Sequence, residues 1–269
     1  MQWQSTRKGW NSIEIFKALS NEALHSFHRI LTSIWVRDEI PPDFRDAAIV
    51  TLFKNKGSKA DCGNHRGIFL LSIAGKILAR IMLNRLILLV AEKNLPESQY
   101  GFRHNRSTTD MIFTVRQVQE KCTEQSMCLY AVFIVLTKVF DTVNREALWV
   151  ILRTLGCPAK FATLIRLLHH DMTGEVLSDG ESSERFVISN GVKQGCVLAP
   201  VLFNLYFTQV LLYAIKELDL GIYIRYRLDG SLFDLRRLTA KTKTLERLVV
   251  ESLFAVTALQ CSIMNTICM

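Results

Sequence analysis

The feature that most limits the fold is the run Ala131-Val132-Phe133-Ile134-Val135-Leu136, apolar at every position and uncharged. A run this short, rich in β-branched and aromatic side chains, reads as a strand, and a strand apolar at every position is expected to be buried on both faces. It leads into Thr137-Lys138-Val139-Phe140-Asp141 and a helical pattern expected over 137–155. A buried strand feeding directly into a helix points to an α+β chain with a sizeable core.

The rest of the pattern agrees with that class. Apolar positions at helical spacing over 13–37 are stopped by Pro41-Pro42, and AAIVTLF at 47–53 reads as a strand. Residues 54–66, KNKGSKADCGNHR, read as an exposed basic loop, and a long helix is expected over 72–93. An irregular basic stretch at 96–107, PESQYGFRHNRS, precedes a helix at 108–122, and Gly156-Cys157-Pro158 breaks the chain before a helix at 159–171. Hairpins are expected to turn on Asp179-Gly180 and, within 222–235, on Asp229-Gly230. No repeat or linker divides the sequence, so a single continuous domain is expected.

Composition narrows the function classes. Hydrophobic residues make up 49% of 269 residues, enough for a large core, and the net charge of +8 favours an anionic partner such as nucleic acid. The 7 cysteines include no Cys-x-x-Cys pair, so reduced thiols are expected rather than a disulfide framework or zinc module. A polar N-terminus and the lack of any run near the ~18 apolar residues that span a bilayer lead to the expectation of an intracellular, cytoplasmic or nuclear protein without a membrane partner.

Four segments in order resemble the reverse transcriptase of non-LTR (LINE-type) retrotransposons, over about Ile40 to Leu259. They are IPPDFRDAAIVTLFKNKGSKADCGNHRGIFLLSIAGKILARIMLNRL, LPESQYGFRHNRSTTDMIF, the apolar strand with its continuation DTVNREALW, and NGVKQGCVLAPVLFNLYF. The resemblance implies a right-hand polymerase with fingers, over about 1–128, and palm, over about 129–269. The residues after Thr257 leave no room for a thumb, so a truncated, thumb-less domain is expected. It also implies RNA-templated DNA synthesis through two Mg²⁺ ions held on carboxylates, since phosphoryl transfer needs its developing charge neutralised.

Laid on the family's Asp-x-x-x-x-Phe-Asp spacing, Phe140 and Asp141 match, but the catalytic aspartate falls on Val135. In LFAVTALQ the family's paired aspartates fall on Val256 and Thr257. No catalytic or metal-binding residue is therefore assigned, and no cofactor or bound Mg²⁺ is expected. Asp141 is expected to support the helix's first turns through its dipole.

The resemblance further implies nucleotide or template contacts at Lys54, Lys56 and Arg66 in the fingers loop. It adds Arg103 and Arg106 beside the template strand, Phe140 against the sugar 2′ position, and Gln194 with Gly195 at a pocket-lining helix start. Lys and Arg suit phosphate oxygens, and glycine permits close backbone approach. Plain readings stand beside these: a solvated basic loop, Phe102 as a packing anchor, a glycine that only serves geometry. His169 and His170 are given no role. Three readings remain open: an inactive reverse-transcriptase domain, a non-catalytic protein that binds RNA or an RNA–DNA hybrid, and an active polymerase.

Overall fold

The computed structural model describes residues 13–178, 180–215, 222–227, 244–249, 251–254 and 257–262. In chain order the elements begin with α1 (Ile13–Lys17), α2 (Asn21–Arg37), α3 (Pro42–Arg45), β1 (Ala47–Phe53) and β2 (His65–Leu70). Then come α4 (Ile73–Leu86), which continues through one π-helical stretch at Ile87–Ala91, α5 (Glu92–Asn94), α6 (Thr108–Glu124) and β3 (Tyr130–Val135). They are followed by α7 (Arg145–Thr154), α8 (Ala159–Leu167), β4 (Thr173–Ser178), β5 (Glu181–Ser182), β6 (Phe186–Val187) and α9 (Ala199–Ile215). Last are β7 (Ile222–Arg227), β8 (Thr244–Val249), β9 (Glu251–Phe254) and β10 (Thr257–Ser262).

Local chemistry sets the helix ends. The hydroxyls of Ser20, Ser72 and Ser107 accept backbone N–H groups at the starts of α2, α4 and α6, and Asp110 returns the bond to complete a capping box. Gly156 ends α7 with φ +79°, while Cys157 N–H donates to Leu152 O and Gly156 N–H to Arg153 O. That is the paired-bond stop which a left-handed residue permits.

Two compact units emerge: Met1–Asn94 with Lys138–Tyr206, and Leu95–Thr137 with Phe207–Met269. The first is built on a sheet ordered β2-β1-β4-β5, with β6 also on β4. β1 is antiparallel to β2, placing Leu52 opposite Arg66, and parallel to β4. Its core gathers Met82 and Leu86 of α4, Leu148 and Leu152 of α7, Phe161 and Ile165 of α8, and Leu202 and Leu205 of α9, all buried.

The second unit holds a sheet ordered β3-β10-β9 and the antiparallel pair β7-β8. Val118 and Cys122 of α6 are buried, with Met111, Val115, Met127, Leu129 and Val249 against them.

Several expectations need correction. The strand at 130–135 forms, but it is not buried on both faces: Phe133 is 64% and Val135 69% exposed. Among the described residues β3 pairs with β10 alone, so one edge and one face stay open. The helix expected over 137–155 begins only at Arg145, because Lys138 takes a left-handed φ of 52° and Asn144 caps the N-terminus by accepting from Ala147 N–H. Phe140 and Asp141 therefore lie in a turn, and Asp141 gains no helix dipole.

The basic loop stops at His65, where pairing with β1 draws 65–70 into β2. β7 pairs with β8, and the turn expected at Asp229-Gly230 lies outside the described residues. Cys62, Cys122, Cys157 and Cys196 are free thiols, whereas Cys128 is disulfide-bonded, contrary to the expectation of reduced cysteines throughout.

Candidate nucleic-acid interface

Six of the residues singled out from sequence fall in the first unit: Lys54, Lys56, Arg66, Phe140, Gln194 and Gly195. Lys54 follows β1 directly, its backbone N–H donating to Asn64 O and its Nζ to Gly63 O at 3.0 Å. Those bonds close the basic loop on itself and fix where its charges stand. Lys56 in the loop and Arg66 on β2 are exposed, and among the described residues neither is in an ion pair. Lys59 lies 5.6 Å from the centre of the Phe53 ring, and His65 Nε2 is 2.8 Å from Lys59 O, which further orders the loop.

Phe140 is half-buried, its ring 5.4 Å from that of Phe203 on α9. Beside it, partial desolvation raises the Asp141 carboxyl from its ordinary value, while the charges of Lys138 and Lys54 act to lower it. Asp141 thus feels the charge of Lys54 at the start of the basic loop as well as that of Lys138.

The segment carrying Gln194 and Gly195 is held from several sides. Phe69 N–H donates to Gln194 O at 2.7 Å, and Gly195 has φ +115°, with Phe69 O only 2.6 Å from where a Cβ would stand. Only glycine fits there, because both the conformation and the neighbouring backbone exclude a side chain. Upstream, Gly191 has φ +77° and its missing Cβ would meet Phe140 O at 2.5 Å. Val192 N–H donates to Phe140 O at 2.7 Å and Gly191 N–H to Val143 O at 3.0 Å, so the 191–195 segment and the 140–143 turn are joined backbone to backbone.

Two buried groups, Lys193, which the sequence reading did not single out, and His169, to which it gave no role, lie in or against this segment. Lys193 is 2% exposed, donates its Nζ to Arg45 O, and is pulled down to about 8 by burial. His169, whose Nδ1–H donates to Ile165 O at 2.9 Å, lies 5.7 Å from the Trp149 ring. Its pKa is pulled down to about 3, by burial first and then by the charges of Lys193 and Arg145. The signal for Lys193 was present in the sequence as the one charge inside the mostly apolar segment VKQGCVLAP.

Arg103 and Arg106 belong to the second unit. Arg103 donates to Pro96 O at 2.7 Å and lies 3.6 Å from Glu97, with 9% of its side chain exposed. Arg106 is paired with the same Glu97. These guanidiniums shape the 96–107 segment, while Phe102 stands exposed at its tip with a left-handed φ of 53°.

Val135 and Thr257, which the sequence resemblance sets at the family's carboxylate positions, also belong to this unit. In the antiparallel ladder of β3 and β10, Thr257 is directly opposite Val135, and across the next ladder Phe254 is opposite Thr257. Val256 lies outside the described residues. Directly opposite residues have Cβ atoms about 5 Å apart, a spacing across which two carboxylates could share an ion. Val135 offers no oxygen and Thr257 only a neutral hydroxyl, so this pair does not fit a hard divalent cation. Among the described residues no group of three His, Cys, Asp or Glu side chains could hold one either.

The mixed α/β architecture agrees with the polymerase class that the sequence motifs resemble. Residues 54–226 match the family described as Reverse transcriptase (RNA-dependent DNA polymerase), and the chain belongs to that family.

Its relatives are polymerases of non-LTR retrotransposons. It is 27% identical over 191 residues to the RNA-directed DNA polymerase from mobile element jockey of Drosophila melanogaster, covering 71% of this chain and 21% of that protein. It is 28% identical over 183 residues to the retrovirus-related Pol polyprotein from type-2 retrotransposable element R2DM of the same fly, covering 68% and 17%. The chain thus spans about a fifth of the curated relatives it matches.

Among solved structures, apo telomerase from Candida tropicalis aligns with TM-score 0.50 at 13% identity, covering 90% of this chain and 49% of that one. Telomerase from Candida albicans in complex with a fragment of telomeric RNA aligns with TM-score 0.51 at 9% identity, covering 91% and 43%. At such identities the likeness concerns the fold alone. Among the described residues no helix is long and apolar enough to cross a membrane.

Proposed function

We propose that this reverse-transcriptase domain does not add nucleotides. The observation that supports the reading is the β3–β10 register, which sets Thr257 opposite Val135 where the resemblance expects metal-binding aspartates. Losing one positioned electrostatic group costs about 10²–10³ in rate, and losing the carboxylates that hold the ions removes the site itself. Asp141 is no substitute, since it lies in a turn and a single carboxylate does not replace the set that holds two ions.

A second reading, that the domain binds RNA or an RNA–DNA hybrid without chemistry, is favoured by the exposed Lys56 and Arg66 beside Lys54. Two assays separate the readings. Primer extension on an RNA template in Mg²⁺ or Mn²⁺ is expected to yield no product above a buffer control, and extension that persists through further purification refutes inactivity. Affinity for an RNA–DNA hybrid across a salt series reports phosphate contacts from its log–log slope. Lys56→Ala and Arg66→Ala are each expected to lower that slope by about 0.9 if the residue meets one phosphate. No binding at low salt by the folded chain refutes the second reading and leaves the first standing.

A further inference from the structure

We infer that Arg145 is the positioning residue of the surface formed by Phe140, Gln194 and Gly195. Its guanidinium grips four carbonyls: Nε donates to Gly191 O at 2.8 Å, Nη1 to His169 O at 2.7 Å and Ile188 O at 2.8 Å, and Nη2 to Asn190 O at 3.1 Å. Among the described residues no carboxylate pairs with it. A half-buried cation held only by neutral carbonyls is costly to desolvate. It also occupies the first residue of α7, where the helix dipole disfavours positive charge. Neither helix formation nor an ion pair explains an arginine here, whereas the fork of five donors does, because no other side chain can close so many acceptors at once.

What the grip accomplishes follows from the bonds beyond it. Arg145 fixes the 188–191 backbone, and Gly191 is in turn seated on Phe140 and Asp141 with no room for a Cβ. Val192 then bonds to Phe140 O, and two residues later Gln194 accepts from Phe69. The guanidinium therefore sets the spacing between the Phe140 ring and the Gln194–Gly195 backbone without itself lining that surface. The functional part of this inference rests on the hybrid-binding reading above.

The test uses the whole chain with Arg145→Gln and the milder Arg145→Lys, kept well below their melting temperatures, and a labelled RNA–DNA hybrid. Arg145→Gln is expected to weaken hybrid binding about tenfold. The log–log salt slope is expected to stay unchanged, because the lost group touches no phosphate. In a Phe140→Ala background the same change should have little further effect, and Arg145→Lys should recover part of the affinity.

A slope lowered by about 0.9 would make Arg145 a direct phosphate contact and overturn the inference, as would wild-type affinity in a folded variant. A second readout needs no ligand: ¹⁹F NMR of 4-fluorophenylalanine at position 140. Arg145→Gln, or Arg145→Lys if the first does not fold, is expected to shift or broaden that resonance. An unmoved resonance overturns the positioning role, while a moved one in a chain that binds no hybrid upholds the positioning and refutes the binding reading alone.

Discussion

Gly191 and Gly156 share nearly one backbone conformation, φ +77° and +79°, but stand in opposite surroundings. A Cβ on Gly156 would meet nothing within 4 Å, whereas one on Gly191 would press on Phe140 O, Asp141 Cα and Asp141 O at 2.5, 2.7 and 2.7 Å. Alanine at 156 costs only the left-handed conformation, about 1–2 kcal/mol. Alanine at 191 adds the displacement of two backbone segments and with it the Val192–Phe140 and Gly191–Val143 hydrogen bonds, each worth about 1 kcal/mol. The sum is about 3–4 kcal/mol for Gly191→Ala against about 1–2 for Gly156→Ala. For a chain of this size that difference corresponds to melting points lowered by about 10 °C and about 4 °C. Urea and thermal unfolding followed by circular dichroism measure both. Equal losses for the two variants would show that the junction between the 140–143 turn and the 191–195 segment is not tightly packed, and the reasoning built on it would fall.

Val135→Asp with Thr257→Asp places like charges opposite each other across β3 and β10, and is expected to destabilise the metal-free chain by about 0.2–1 kcal/mol. Melting points in chelator and in millimolar Mn²⁺ test this, an unchanged metal-free value counting against the register. His169 takes up a proton near pH 6.5 when unfolded but only at about 3 when folded, so stability present above pH 6.5 is lost as pH falls towards 3. By pH 5 the loss amounts to about 2 kcal/mol, and His169→Gln should flatten that part of a urea-midpoint series against pH. Arg103→Ala is expected to lower stability by about 1–2 kcal/mol, because it strips the largely buried bond to Pro96 O, while leaving the salt slope of hybrid binding unchanged. A lowered slope would restore Arg103 to the template surface.

Some elements were legible because local and tertiary preferences agree. AAIVTLF became β1 with the boundaries read from sequence, and α7 ended where Gly156-Cys157-Pro158 was read as a break. The 137–155 pattern misled because TKVFDTV spaces its apolar residues like a helix, yet Val139 and Val143 bury their side chains from a turn. Asn144, three residues before Ala147, was the available sign of the true start. HRGIFL read partly as loop because its polar half turns strand-like only by pairing with β1.

The basic residues of the candidate site could be picked out by type and order, but not by commitment. Arg66 is exposed while Arg103 is tied to its own segment, and only folded neighbours decide that. Arg145 left one trace, a positive charge in the first turn of a helix, and became visible once its four carbonyl partners were placed.

The opposed pair Val135 and Thr257 makes the proposed inactivity hard to reverse. Changing either residue alone to aspartate would set one carboxylate beside a methyl-bearing neighbour, too little to hold a divalent ion and therefore of no catalytic advantage. On the inactivity proposed above, recovery of the reaction would require matched changes on two strands at once: each step away from the chemistry can be taken singly, while the way back cannot.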